Sequence, residues 1–312
     1  MMRAMDDPLA TLLTVGDWVR YAASRFAEAD LGYGHGTEDP LDEAYALVVS
    51  ALGLGPELPA AHHASRLLLG EKQRLQKLIE ERIETRRPVP YLTHEAYFAG
   101  LRFYVDERVL IPRSPLAELI AARFEPWLEP LAVRRILDLG TGSGALAVAC
   151  AFAFPDASLV ATDISADALE VARINLCRHG LETRIELRWG DLYGALSRPT
   201  APFDLIVSNP PYVPLALRRT FPPEHRHEPD LAFWAGDDGL NVLRPLLAEA
   251  HAHLHPQHGL LAVECGDAAP ALWEQLSGEG FVWPDLESGR RDVLLASVAA
   301  LRSWVEERVH AR

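Results

Sequence analysis

The tetrapeptide Asn209-Pro210-Pro211-Tyr212 follows the apolar run Phe203-Asp204-Leu205-Ile206-Val207-Ser208, which reads as a buried strand. A turn in that place stands at the carboxyl end of the strand, where open α/β sheets bind their ligands. Pro210 and Pro211 fix φ and remove two backbone donors, which leaves carbonyls and the Asn209 side chain as acceptors beside the aromatic face of Tyr212. Such a set suits a planar NH2 group. An amide or exocyclic amine is a poor nucleophile because its lone pair is delocalised. Two acceptors holding its two hydrogens would aim that lone pair at an electrophile, with Tyr212 over the flat face. The competing reading is a proline-rich loop that only ends a strand; Asn209 before it and Tyr212 after it weigh against that.

A second turn lies upstream, where Ile136-Leu137-Asp138-Leu139 runs into Gly140-Thr141-Gly142-Ser143-Gly144 and then a small-residue helix, Ala145 to Ala153. Glycines there let a ligand lie against backbone N–H groups at a helix N-terminus. Asp163, nineteen residues after Gly144, ends the next strand and is placed to accept from both hydroxyls of a ribose. Gly140, Gly142 and Ala145 also satisfy the permissive dinucleotide spacing, so the glycines alone do not choose between cofactors. Asp138 beside the turn favours a cationic or amino-bearing ligand over a pyrophosphate, and S-adenosylmethionine carries both groups. Asp191, in Gly190-Asp191-Leu192-Tyr193, is placed to accept from an adenine amino group, with Leu192 against the ring. Asp191 by position alone reads equally well as an exposed loop residue; its coincidence with Asp138, Asp163 and Asn209 at strand ends favours function.

These residues need a sheet to hold them. Apolar strands at Arg134 to Leu139, Ser158 to Thr162, Arg184 to Arg188, Phe203 to Ser208, Leu260 to Glu264 and Asp292 to Val298 alternate with helical stretches, which implies an α/β fold with a parallel, doubly wound sheet. Ser165 and Gly180 bound the helix Ala166 to His179. The segment Thr11 to Arg87 reads as helices: one opened by Asp17, one by Asp42-Glu43, and one from Glu71 to Thr85 that Pro88 and Pro90 stop. Tyr91 to Leu110 has a hairpin texture around Gly100. The chain therefore divides into a helical domain over 1–88, a hairpin linker over 89–112 and a larger domain over 113–312.

The 312 residues are 49% hydrophobic and 24% charged, as in soluble globular proteins, with a net charge of −14. The acidic balance argues against a broad nucleic-acid footprint and suits a basic partner. Met1 to Ala10 holds Arg3, Asp6, Asp7 and Pro8 and no apolar core, so neither a leader nor a membrane span is expected, and the location expected is cytoplasmic. Cys150, Cys177 and Cys265 lack close pairing and read as buried thiols.

With the glycine turn, the second-strand aspartate and Asn-Pro-Pro-Tyr in this order, the chain resembles class I S-adenosylmethionine-dependent methyltransferases that modify amide or exocyclic nitrogens. More closely, it is similar to the protein-glutamine methyltransferases. Further segments that carry the likeness are Pro90-Tyr91-Leu92, Phe98-Ala99-Gly100-Leu101, Leu110-Ile111-Pro112-Arg113, Glu228-Pro229, Gly236 and Asp238-Gly239-Leu240. The resemblance implies a Rossmann-like seven-stranded sheet of order 3-2-1-4-5-7-6 with an antiparallel last strand, a small helical N-terminal domain and a β-hairpin linker. Family members acting on release factors usually continue Pro-Arg with Pro-Glu-Thr-Glu, whereas this chain has Arg113-Ser114-Pro115 and Glu224-His225-Arg226-His227-Glu228-Pro229, similar to the subfamily acting on the third large-subunit ribosomal protein. What the resemblance implies for the site is that Asn209 and the Pro210 carbonyl hold a glutamine NH2 and Tyr212 packs on its plane. It further implies that Pro211 and Arg113 meet the substrate, and that Asp138, Gly140, Gly142, Gly144, Asp163, Asp191, Leu192 and Asn209 hold S-adenosylmethionine. No strong base is needed in that mechanism.

Other readings compete. A release factor as substrate would keep the same chemistry. An adenine or guanine amino methyltransferase shares the Asn-Pro-Pro-Tyr turn but needs base flipping and phosphate contacts, and no target-recognition domain or long basic stripe is present; direct nucleic-acid binding is not expected. A dehydrogenase lacks a proton shuttle here. A noncatalytic relative would be expected to have lost part of the Asp138, Asp163, Asn209 and Tyr212 set. His251 and His255 have the spacing of a helical metal pair, but a third ligand is missing and a solvated helix end before Pro256 is the expectation, with no metal. His225 and His227 are left as possible substrate contacts, and Arg82, Arg86 and Arg87 read as a solvated helix face. The oligomeric state is not legible.

Overall fold

The computed structural model describes residues 7–196, 200–273, 275, 276, 278–287, 289 and 291–310. The first six positions, Arg3 and Asp6 among them, which were read for a leader, lie outside the described residues. The chain forms two compact units. One takes in the chain up to Ala96 with Val105–Glu107 and Pro222–His227; the other holds Tyr97–Tyr104, Arg108–Phe221 and Glu228 onward.

The first unit is helical, built on Val15–Glu28, Pro40–Ala51, Leu69–Thr85 and Val89–Thr93. Thr14 opens the first of these with a capping box: its hydroxyl accepts from Asp17 N at 3.2 Å, and the Asp17 carboxylate takes the Thr14 N–H at 2.9 Å. Pro88 and Pro90 do not simply stop helical structure; they begin the short Val89–Thr93 helix, because proline is tolerated in a first turn. Trp18, Phe26, Leu47, Leu75 and Ile79 make the core. The basic run needs a correction at Arg82, which is fully buried, 3.1 Å from Glu43 and 3.7 Å from Glu224. Its place follows from spacing: Leu75, Ile79 and Arg82 recur at four and three residues, on the apolar stripe. Arg86 also meets Glu224, at 2.9 Å, and Gly32 N donates to the same carboxylate at 2.9 Å. Burial pushes the Glu43 carboxyl up to about 7 despite Arg82. For Glu224 burial is outweighed by the Gly32 amide and the two guanidiniums, and its pKa is lowered.

The second unit carries the sheets. A hairpin joins β1 (Ala96–Phe98) to β2 (Leu101–Phe103) through Ala99 and Gly100, whose φ values of 49° and 74° make a left-handed two-residue turn. Phe98 and Phe103 enter this unit's core. The large sheet comprises β3 (Arg135–Leu139), β4 (Ser158–Asp163), β5 (Ile185–Trp189), β6 (Leu205–Ser208), β7 (Leu260–Glu264), β8 (Phe281–Val282) and β9 (Val293–Ser297). Their order is β5-β4-β3-β6-β7-β9-β8, which counted within the sheet is 3-2-1-4-5-7-6. β9 runs antiparallel to β7 and β8, and the remaining pairings are parallel. This is the expected topology, with β8 a strand that periodicity missed because two residues carry no pattern.

Alternate residues face opposite layers. Ile136, Leu205, Val207 and Ala262 join one core with helix Ala145–Ala153, while Leu137, Leu139, Ile206, Leu261 and Val263 join the other with helix Leu243–His253. Both faces are therefore covered, which leaves the ends of the strands as the accessible ground. Cys150 and Cys265 are buried as expected, but Cys177 is exposed. The helix Ala166–His179 buries Ala168, Leu169, Val171, Ala172, Asn175 and Leu176, and position 177 falls outside that stripe. Glu182, through a hydrogen bond and its charge, raises the Cys177 thiol. Among the described residues no helix is long and apolar enough to cross a membrane.

Candidate active site

The glycine turn leaves β3 in a conformation that explains its composition. Gly140, Gly142 and Gly144 have φ values of 71°, 55° and 82°, a left-handed series that side chains resist. Gly140 N and Thr141 N both donate to Thr162 O at 2.9 Å, which fixes the turn to β4. At the end of β4, Asp163 accepts from Gly142 N through Oδ2 and from Ser165 N through Oδ1, each at 2.8 Å. Burial raises the Asp163 carboxyl while the Ser165, Gly142 and Ile164 amides oppose it. Asp138 stands behind the turn without lining the cavity. Thr141 Oγ1 donates to its Oδ2 at 2.6 Å, and its Oδ1 is buried with no hydrogen bond. The Ala147 amide exerts only the weakest of the pulls on that carboxylate. Burial pushes its pKa up to about 7, the Thr141 bond opposes this and the Asp163 charge adds to it. A buried carboxylate with an unmet acceptor suits a positively charged or N–H-bearing group nearby.

After β5, Gly190 N donates to Asp163 O at 3.0 Å, which draws the third loop to the same place. Asp191 is exposed and its side chain makes no helix cap. Leu192 sits at φ 43°, strained for leucine, and presents itself to the cavity.

The Asn209–Tyr212 turn follows β6, whose last residue Ser208 donates from Oγ to Leu139 O at 2.7 Å. Asn209, Pro210 and Pro211 line the same cavity as the glycine turn, Asp163, Asp191 and Leu192. Among the described residues nothing hydrogen-bonds the Asn209 side chain. Tyr212 is placed differently from the sequence expectation. It does not line the cavity; its hydroxyl donates to Glu264 Oε1 at 2.7 Å. A Cβ on Gly266 would stand 2.1 Å from the Tyr212 ring, and one on Gly239 would stand 2.2 Å from its carbonyl oxygen. Burial and then the Glu264 charge hold the phenol well above its ordinary pKa, so it is a neutral donor. Arg113 lines the cavity, but its guanidinium forms a two-pronged pair with Glu228 at 2.9 and 2.9 Å. Its charge is thus matched within the chain rather than offered outward.

The cavity encloses about 360 Å3 and its walls all come from the larger unit. Sequence reasoning missed its apolar end, made by Phe98, Leu110, Pro229, Leu231, Ala232 and Trp234. It also missed Glu264, although that residue ends β7 and the strand-end rule that selected Asp163 would have found it. His225 and His227 belong to the smaller unit, where His227 Nε2 lies 3.0 Å from Thr85 O. The later histidines make no helical pair: the helix ends at His253, so His251 and His255 share no helical face, while His258 stacks on His255 with ring centroids 3.6 Å apart and pairs with Asp204 at 2.8 Å.

Comparison with known proteins bears on this geometry. A methyltransferase small domain model matches residues 119–216. The ribosomal protein uL3 glutamine methyltransferase of Bradyrhizobium diazoefficiens is 43% identical over 297 residues, 93% of this chain and 92% of that protein. Its namesake from Bordetella pertussis is 43% identical over 288 residues, 91% of this chain and 95% of that protein. The solved 16S rRNA N2 G1207 methyltransferase of T. thermophilus, in complex with AdoMet and guanosine, is 22% identical, with a TM-score of 0.42 over 65% of this chain and 49% of that one. On these two likenesses, each over more than nine-tenths of both chains, this chain belongs to the ribosomal protein uL3 glutamine methyltransferase family.

Proposed function

We propose that the protein transfers a methyl group from S-adenosylmethionine to the side-chain amide nitrogen of a glutamine in ribosomal protein uL3, acting in the cytoplasm. The observation that carries this reading is the Asn209 amide, free of hydrogen bonds at the end of β6, in one cavity with the glycine turn and Asp163. Asp163 suits the ribose hydroxyls, Asp191 and Leu192 the adenine, and Gly140, Gly142 and Gly144 give close backbone approach. The unmet Asp138 oxygen supplies the negative potential that a sulfonium and an amino group require. S-adenosylmethionine, when bound, supplies a methyl group on positively charged sulfur.

The protein's own residues do the rest. Asn209 Oδ1 and the Pro210 carbonyl accept the two amide hydrogens, which turns the nitrogen lone pair toward the methyl group. Pro211, Leu110, Leu231 and Trp234 provide a dry wall that excludes competing water. A nitrogen that has gained a methyl group becomes strongly acidic and sheds its proton without a dedicated base. Residues 1–88, with the 89–112 linker, serve to recognise the substrate for the catalytic domain at 113–312, and the net charge of −14 favours a basic protein there.

The test is to incubate the protein and labelled S-adenosylmethionine separately with uL3, a release factor and adenine-containing DNA, and to locate the methyl group by mass spectrometry. The expected result is label on a glutamine of uL3. Label on the release factor would move the substrate, and label only in DNA would overturn the reading.

A further inference from the structure

Beyond the clamp itself, the structure contains a device that sets it. We propose that Ser114, Glu264 and Tyr212 form a positioning relay for methyl transfer, in which Glu264 holds the Asn209–Tyr212 turn in register with the cavity wall. This rests on the proposed amide methylation and adds to it Glu264, which does not line the cavity.

Glu264 ends β7 and is only 4% exposed. Its two oxygens are divided: Oε1 takes the Tyr212 hydroxyl at 2.7 Å and Oε2 takes the Ser114 hydroxyl at 2.5 Å. Ser114 lines the cavity and also accepts Leu116 N at 3.2 Å, so it is anchored on the far side. The carboxylate thus bridges the wall that begins at Arg113 to the end of the catalytic turn. Two glycines complete the socket: there is no room for a Cβ on Gly266 beside the Tyr212 ring, nor on Gly239 beside the Tyr212 carbonyl. At the other end of the turn, Ser208 is tied to Leu139 O at 2.7 Å. The four-residue turn is therefore pinned at both ends while Asn209, between them, is left without a hydrogen bond of its own.

A purely stabilising role explains this arrangement poorly. A buried carboxylate, even when hydrogen-bonded, is often no better for stability than well-packed apolar side chains. What it supplies is direction: a charged acceptor fixes the phenol more strongly than a neutral one would. Asn209 and the Pro210 carbonyl must meet two hydrogens of one planar group, and a small misplacement of such acceptors lowers the rate steeply.

The test is a cycle of Glu264→Gln and Tyr212→Phe, both close in shape to the originals, assayed on uL3 with S-adenosylmethionine. Each single change should lower kcat about tenfold, the scale of one aimed hydrogen bond. The double variant should lose no more than roughly twentyfold, since both changes break one link. Cofactor Kd and the KM for uL3 should stay within about twofold. Ser114→Ala should lower kcat by a smaller factor, and Ser114→Thr should restore it. An inactive wild-type protein would instead sink the underlying function. An active wild-type protein whose variants keep full kcat, lose activity multiplicatively, or change only KM would overturn the relay.

Discussion

Gly266→Ala is a one-carbon perturbation whose outcome can be worked from the structure. The new Cβ would lie 2.1, 2.4 and 2.5 Å from the Cε2, Cζ and Cδ2 atoms of Tyr212. Carbon atoms settle at about 3.5–4.0 Å, so the ring must move by roughly 1.5 Å rather than tolerate the contact. A displacement of that size takes the hydroxyl out of its 2.7 Å bond with Glu264. The loss of a donor from a buried carboxylate costs about 1.5–3 kcal/mol, and alanine at the φ of 41° found at Gly266 adds about 1–2 kcal/mol. The sum, about 2.5–5 kcal/mol, corresponds to a melting point lower by roughly 4–8 °C. Turnover on uL3 should fall at least about tenfold, with S-adenosylmethionine affinity by calorimetry within about twofold. The decisive control is the same change made in a Tyr212→Ala background, where only the backbone penalty is left. Equal melting penalties in both backgrounds, or an unchanged kcat in the single variant, would refute the reasoning.

Three further outcomes are expected. Asn209→Ala should reduce kcat by on the order of a hundredfold or more while cofactor binding, measured by titration, changes little; a parallel loss of binding would remove Asn209 from its proposed role. Asp138, pushed up to about 7 by burial, contributes stability that is fully present below its ordinary value of 3.8 and is lost as pH rises through about 7. The protein without cofactor should therefore melt lower at pH 8 than at pH 6, a slope that Glu43, also pushed up to about 7, shares; affinity for the cationic cofactor should weaken by up to about tenfold per unit as pH falls below about 7. Asp138→Asn should reduce the melting slope and flatten the affinity slope, and an affinity slope that persists in that variant would count against it. Arg82→Met strands the buried carboxylate of Glu43, leaves Glu224 with Arg86 and the Gly32 amide, and should cost about 3–5 kcal/mol in thermal or denaturant unfolding, and a variant as stable as wild type would refute the buried network.

The sheet and much of the site were legible because they depend on local rules. Strand ends at Asp138, Asp163 and Asn209 were found from apolar runs followed by turn chemistry, and the glycine turn from residues that tolerate left-handed backbone. What escaped depends on residues far apart in the chain. Tyr212 was read as facing the substrate, but the direction of its ring is set by Glu264 and Gly266, which nothing near position 212 announces. Arg82 was misread because charge was counted along the run instead of against the stripe of Leu75 and Ile79. Arg113, expected to meet the substrate, does line the cavity, but nothing near position 113 announced that Glu228, 115 positions on, would match its charge. β8 escaped because its two residues receive their identity from pairing with β9.

The helical unit includes Pro222–His227, and its buried Arg82 and half-buried Arg86 share Glu224, whose carboxylate also binds Gly32, 192 positions earlier. That has a consequence for synthesis. As the chain leaves the ribosome, the N-terminal helices emerge first, yet their counter-charge arrives only after β3 to β6 have been made. Until then Arg82 has Glu43 alone among the ion-pair partners described for it. The amino-terminal unit thus cannot finish folding in the order in which it is translated, and its completion reports that the Asn209–Tyr212 turn has already been synthesised.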